Sequence, residues 1–138
     1  MAGIPFIRDF KFDYGTAMEV TPLIRRVVAN NPNPFTFKGT GTYIIGHGNV
    51  AVVDPGPDQQ EHIDAVLRAL RGETVTHILV THTHVDHVPA TPALAKATGA
   101  KVYSYGPHPT PEGVTAEQEG DFSFAPDVKL NDGDVIQG

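Results

Sequence analysis

The sequence predicts an α/β fold with helices on one face of a sheet, and three observations carry that expectation. Short apolar runs at residues 43–45, 50–53 and 78–80 have the length of buried strands. Between them, Ile63, Val66, Leu67 and Leu70 recur at helical spacing. Clusters of Gly, Pro, Asn and Asp separate these segments, as turns and element ends require. The chain of 138 residues, 40% hydrophobic and 19% charged, is the size of one ordinary compact domain, so residues 1–138 are read as one unit around one core.

Taken in order, residues 20–28 form a β-branched segment that reads as an edge strand, closed by the turn-forming Asn30-Asn31-Pro32-Asn33-Pro34. Residues 42–45 and 50–53 read as a hairpin, joined through Gly46, His47, Gly48 and Asn49, whose glycines permit positive φ. After Asp54-Pro55-Gly56-Pro57 a helix starts, with Asp58 as cap and Glu61 three residues later, and Gly72 ends it. Residues 75–80 form a buried strand that runs directly into a His-rich segment. Thr91 and Pro92 suit an N-cap and first turn, residues 94–98 a short helix, and Gly99 its stop. Residues 101–105 make the next strand and residues 106–120 a Pro-rich surface loop. Residues 128–130 and 135–136 then read as short strands flanking the turn Asn131-Asp132-Gly133-Asp134.

Composition removes several function classes. No apolar run approaches the roughly 20 residues that span a bilayer, and the N-terminus mixes Arg8, Asp9, Lys11 and Asp13 among its apolar residues, unlike a secretory signal. A cytoplasmic protein without membrane partners is therefore expected. The absence of cysteine rules out disulfides, thiolate nucleophiles and Cys-type zinc sites, and leaves His, Asp and Glu as metal ligands. The formal charge is -6 and the ten Lys and Arg residues are scattered, so no basic strip tracks a duplex backbone.

The chemistry lies in Thr81-His82-Thr83-His84-Val85-Asp86-His87, where four metal-capable side chains, His82, His84, Asp86 and His87, fall within six positions. Residues two apart in extended chain point the same way, so His82 and His84 can chelate one cation, while a turn at Asp86-His87 brings a carboxylate and an imidazole toward a second. Two such ions lower the pKa of a water between them and polarise the bond it attacks. A polar loop explains one histidine after a strand, but hardly three with an aspartate at this spacing. His47, His62 and His77 stand alone and read as a turn residue, a helix-surface residue and a strand-start residue.

This segment resembles the His-x-His-x-Asp-His motif of metallo-beta-lactamase-fold hydrolases, and Val52-Val53-Asp54-Pro55-Gly56 resembles the strand-Asp-x-Gly element upstream of it. The resemblance covers roughly residues 15–138 and implies the N-terminal half of an αββα sandwich. It implies two zinc ions held by His82, His84, Asp86 and His87, with Asp54 buttressing the site from behind. It implies a metal-bound hydroxide attacking an ester, thioester, amide or phosphodiester, with Asp86 as both ligand and the carboxylate that orients the water or moves its proton. Residues 33–43 look like the subgroup that includes endoribonuclease relatives, while Val88-Pro89-Ala90 departs from the Gly pair that often follows the motif. Small-molecule and RNA substrates both follow, the acidic charge leaning toward small esters and thioesters.

The family's remaining ligands lie further along a chain about twice as long. His108, in Pro107-His108-Pro109, does not match the Gly-His-Thr setting of the third histidine, and Asp132 and Asp134 do not resemble the bridging aspartate. The expectation is a piece of a longer hydrolase that associates with its C-terminal half or forms a homodimer. The rival expectation is a non-catalytic metal-binding half-domain or partner module.

Overall fold

The computed structural model describes residue 9 and residues 11–34, 36–83, 86–106 and 125–137. Among the described residues the sheet has seven strands in sequence order: β1 (Met18–Thr21), β2 (Ile24–Val28), β3 (Gly41–Ile45), β4 (Asn49–Val53), β5 (Thr74–Leu79), β6 (Lys101–Ser104) and β7 (Val128–Lys129). β1 to β4 run antiparallel to one another, and β4 to β7 run parallel. The change of direction follows from the connections. Three residues join β3 to β4, which only a hairpin tolerates, whereas helix α1 (Gln60–Ala69) links β4 to β5 and helix α2 (Thr91–Thr98) links β5 to β6.

Strand alternation decides which face is covered. Val27, Ile44, Val50, Val52, Ile78 and Val102 point to the helices and form one cluster with Ala65 and Val66 of α1, Leu70 just after it, and Leu94 of α2. Both helices therefore lie on one face, as expected. On the other face, paired neighbours Tyr43, Val53, Leu79 and Tyr103 form a row across β3 to β6 and are only half-buried. Arg25 ties hairpin to helix: its guanidinium donates to Glu73 at 2.8 Å, to the Gly46 carbonyl at 3.1 Å and to the Ala69 carbonyl at 3.3 Å.

Several boundaries differ from those read in the sequence. Residues 20–28 are two strands, with Pro22 and Leu23 at the turn, so β1 is the edge and β2 is interior. The Leu23 N–H donates to the Thr21 hydroxyl, a local turn that competes with strand extension. α1 is preceded by Gln59, extended and without a side-chain cap bond, so Asp58 does not cap it. α2 starts at Thr91 after Ala90, placing Pro92 in its first turn, and Gly99 stops it at φ 73°. Residues 135–136 form no strand, and Val135 is 79% exposed. His84, His108 and residues 107–120 of the Pro-rich loop lie outside the described residues.

Candidate metal centre

Because β4 and β5 are parallel, their C-terminal ends open at the same edge of the sheet, where sites collect in α/β folds. Asp54 leaves β4 there and the segment 81–87 leaves β5. The Asp54 N–H donates to the Leu79 carbonyl at 2.8 Å, continuing the ladder one residue past the end of β4. Asp54 then takes φ 53°, a left-handed conformation that Asp tolerates better than most residues. That turn aims its carboxylate back over β5.

The carboxylate accepts three hydrogen bonds: the Thr81 N–H on Oδ1 at 2.8 Å, the Thr81 hydroxyl on Oδ2 at 2.7 Å, and His87 Nδ1 on Oδ2 at 3.1 Å. Burial opposes its ionisation. The bonds from His87 and Thr81, with the His87 charge, outweigh that and hold its carboxyl below the ordinary aspartate range. Burial likewise works against a charged His87, but the Asp54 hydrogen bond and the charges of Asp86 and Asp54 raise its pKa above that of an ordinary histidine.

These bonds assign protons. Thr81 has one hydroxyl proton, given to Asp54, so its oxygen accepts from His82 Nδ1 at 2.8 Å. His87 donates its own Nδ1–H to Asp54. In both rings Nδ1 is engaged in this way, so Nε2 is the nitrogen that a metal ion would use once it is deprotonated. The two rings lie 4.1 Å apart between centroids, and Asp86 Oδ2 is 3.1 Å from His87 Nε2. Two ligands about 2.1 Å from a tetrahedral zinc stand roughly 3.4 Å apart, so this last pair is close to the spacing of co-ligands of one ion. Asp54, His82 and His87 each offer a ligand atom within 4.8 Å of the others. The donor set, nitrogen and oxygen without sulfur, suits zinc or another first-row cation.

Of the residues singled out in the sequence, Asp54, His82, Asp86 and His87 therefore converge. Asp132 and Asp134 belong to their own turn, where the Asp134 carboxylate accepts from the Asn131 N–H at 2.7 Å. His47 is an exposed turn residue whose Nε2 lies 2.8 Å from the Pro22 carbonyl oxygen, and His77 contacts the Thr76 hydroxyl. His62 is not on the helix surface: it is buried, 3% exposed, because the covered arc of α1 runs through it. Thr81 reads from the sequence as part of the His-rich segment, but its role does not, in which its hydroxyl links Asp54 to His82.

Residues 36–138 match the family described as the Metallo-beta-lactamase superfamily. Among curated relatives, an atrochrysone carboxyl ACP thioesterase of Passalora fulva is 37% identical over 63% of this chain and 25% of its own length. The lactamase-like protein notP of an Aspergillus strain is 32% identical over 72% of this chain and 34% of its own. Among solved structures, the subclass B3 metallo-beta-lactamase BJP-1 of Bradyrhizobium japonicum superposes with a TM-score of 0.61 at 21% identity, over 88% of this chain and 48% of that one. That likeness concerns the fold. The chain spans about a quarter to a third of the length of these curated relatives.

Proposed function

Because the chain belongs to the metallo-beta-lactamase superfamily, we propose that it supplies the first metal ligands of a two-zinc hydrolase whose substrate is an acyl thioester or a related small ester. The single observation that carries this reading is His87, held by Asp54 at Nδ1 and facing Asp86 Oδ2 with Nε2, both at 3.1 Å. That is the carboxylate–histidine arrangement that orients a metal ligand and makes it more basic. His82 and His84, two apart after β5, are the proposed ligands of one ion, and Asp86 and His87 those of the other.

Zinc bound there would supply an acidified water and a Lewis acid for the scissile carbonyl. The residues of this chain do the positioning. Asp54 fixes the His87 ring, Thr81 fixes the His82 ring, and Asp86 orients the attacking water or accepts its proton at a carboxylate oxygen. Without metal, a proton shared by His87 Nε2 and Asp86 Oδ2 lies where a cation is favoured, and metal uptake must displace it. A thioester fits the thioesterase named among the relatives and the acidic chain, which offers no basic strip for RNA.

The test is hydrolysis by the zinc-loaded protein of an acyl thioester, a β-lactam and a phosphodiester, each repeated with His82 and His84 both changed to Ala. Turnover is expected with the thioester first, at a low rate, and lost in the double variant. Cleavage of the phosphodiester in preference would overturn the substrate assignment, and activity surviving in the double variant would overturn the site.

A further inference from the structure

Beneath the loop that carries Asp54 lies a histidine for which the chemistry above has no use. His62 sits on the covered side of α1, and its Nε2 is 3.0 Å from the Pro55 carbonyl oxygen and 2.9 Å from the Thr42 hydroxyl. The Thr42 hydroxyl is itself 2.7 Å from the Asp54 carbonyl oxygen. Carbonyls only accept, and that favours one assignment of the protons. Thr42 gives its hydroxyl proton to Asp54, and its oxygen accepts from His62. Nε2–H is therefore shared between Thr42 and Pro55, and Nδ1 bears no proton. Burial, only partly offset by the Pro55 hydrogen bond, lowers the pKa of His62, which keeps the ring neutral.

Nδ1 is buried with no hydrogen-bond partner among the described residues. A leucine would fill the same space without that cost, so packing alone does not account for an imidazole here. What an imidazole adds is one N–H aimed at two acceptors, the Pro55 carbonyl on the loop and the Thr42 hydroxyl on β3. Two successive carbonyls, of Asp54 and Pro55, are thereby held from below. The next residue, Gly56, donates its N–H to the His87 carbonyl at 3.0 Å, and its own carbonyl accepts from the Ala90 N–H at 3.0 Å. The loop is so close to the ring that a Cβ on Gly56 would stand 2.7 Å from Nε2.

We infer that His62 is a positioning residue for the metal centre: through Thr42 and the Pro55 carbonyl it locks the residue 54–56 backbone, and so fixes the Asp54 carboxylate under His87. The inference rests on the metal reading above. It places one end of the support in the helix between β4 and β5, so the site is set by three elements, β3, β4 and α1, besides the loop that bears the ligands.

The experiment compares His62→Leu, which keeps the volume and drops the donor, with His62→Gln, which keeps an N–H. Val66→Ala, one turn along the same covered face, controls for lost stability. Zinc affinity is read by competition with a chromophoric chelator, and ligand geometry by the visible spectrum of the cobalt(II)-substituted protein. The His62 tautomer is read by nitrogen-15 NMR of the metal-free chain. The expected result is an Nε2–H tautomer, a zinc affinity about tenfold weaker with an altered cobalt spectrum in His62→Leu, and recovery of both in His62→Gln. Val66→Ala should lower stability and leave both metal readouts unchanged. Should His62→Leu fail to fold, His62→Asn against His62→Gln carries the same comparison, the shorter amide being unable to reach Pro55. Wild-type affinity and spectrum in the variant without a donor, an Nδ1–H tautomer, or equal weakening in Val66→Ala would each overturn the inference. A wild-type chain that takes up no zinc overturns the metal reading, and this inference with it.

Discussion

Asp54 holds both the strain and the charge at the centre of the site, and two substitutions separate them. Asn tolerates the left-handed backbone at φ 53° but lacks the charge, whereas Ala loses the charge and is strained as well. Asp54→Asn is expected to weaken zinc binding by about 10 to 100-fold, the usual effect of removing a carboxylate behind a ligating imidazole. Asp54→Ala should do the same and lower stability further. Chelator competition and thermal unfolding check the pair, and unchanged affinity in both would reduce Asp54 to a turn residue. In the metal-free protein the pH dependence follows from opposite shifts. The lowered pKa of Asp54 contributes stability above its ordinary value of 3.8 that is lost as pH falls through the depressed value. The raised pKa of His87 contributes stability below 6.5 that is lost as pH rises through the elevated value. Urea unfolding in the presence of a chelator should therefore show the largest gap between wild type and Asp54→Asn at pH between 3.8 and 6.5, narrowing on either side. A gap that is flat with pH would show that the pair is not coupled.

The loop joining β4 to α1 is the element on which these residues depend, and Gly56 is its tightest point. At φ 94°, with His62 Nε2 where a side chain would begin, Gly56→Ala is expected to cost about 1–3 kcal/mol in stability. Because the same residue binds the His87 carbonyl, it should also weaken zinc binding. Denaturant unfolding and zinc titration of that variant check both effects, and a fully stable Gly56→Ala would contradict the packing described. Much of this architecture was legible in the sequence. Residues 50–53 and 78–80 are uniformly apolar because both strands lie in the middle of the sheet, and the helix between them announces itself by Ile63, Val66, Leu67 and Leu70. The aspartate and histidines after these strands stand out as candidate ligands because metal binding needs particular residue types at particular spacings. What was not legible depends on tertiary context. His62 and Ala65 fall on the edge of the apolar arc of α1, where neither residue type declares burial; the chain covers them from elsewhere, with Pro55 against His62 and Gly15 beside Ala65. The turn at Pro22 and Leu23 lies inside a segment rich in β-branched residues that reads as one strand, and residues 135–136 have strand composition but no pairing among the described residues.

At the scale of the whole molecule, the helices cover one face of the sheet and no described helix covers the other. Tyr43, Val53, Leu79 and Tyr103 form a continuous apolar row there, beside the exposed Ile45. Each Å² of such surface removed from water contributes about 25 cal/mol, so the 138-residue chain by itself is expected to self-associate through this face. Sedimentation velocity should show a dimer or larger species, and Tyr43→Lys with Tyr103→Lys should restore the monomer. A wild-type monomer at high micromolar concentration would contradict that expectation. The match to residues 36–138 and the shared fold place this chain in its superfamily, while the convergence of Asp54, His82, Asp86 and His87 supports the proposal that the site is a metal centre. The most direct test is metal content per chain, measured by elemental analysis after zinc loading and gel filtration. Wild type should retain zinc, and the variant with both His82 and His84 changed to Ala should lose most of it; equal zinc in the two, or none in the wild type, would contradict a metal centre at this edge of the sheet.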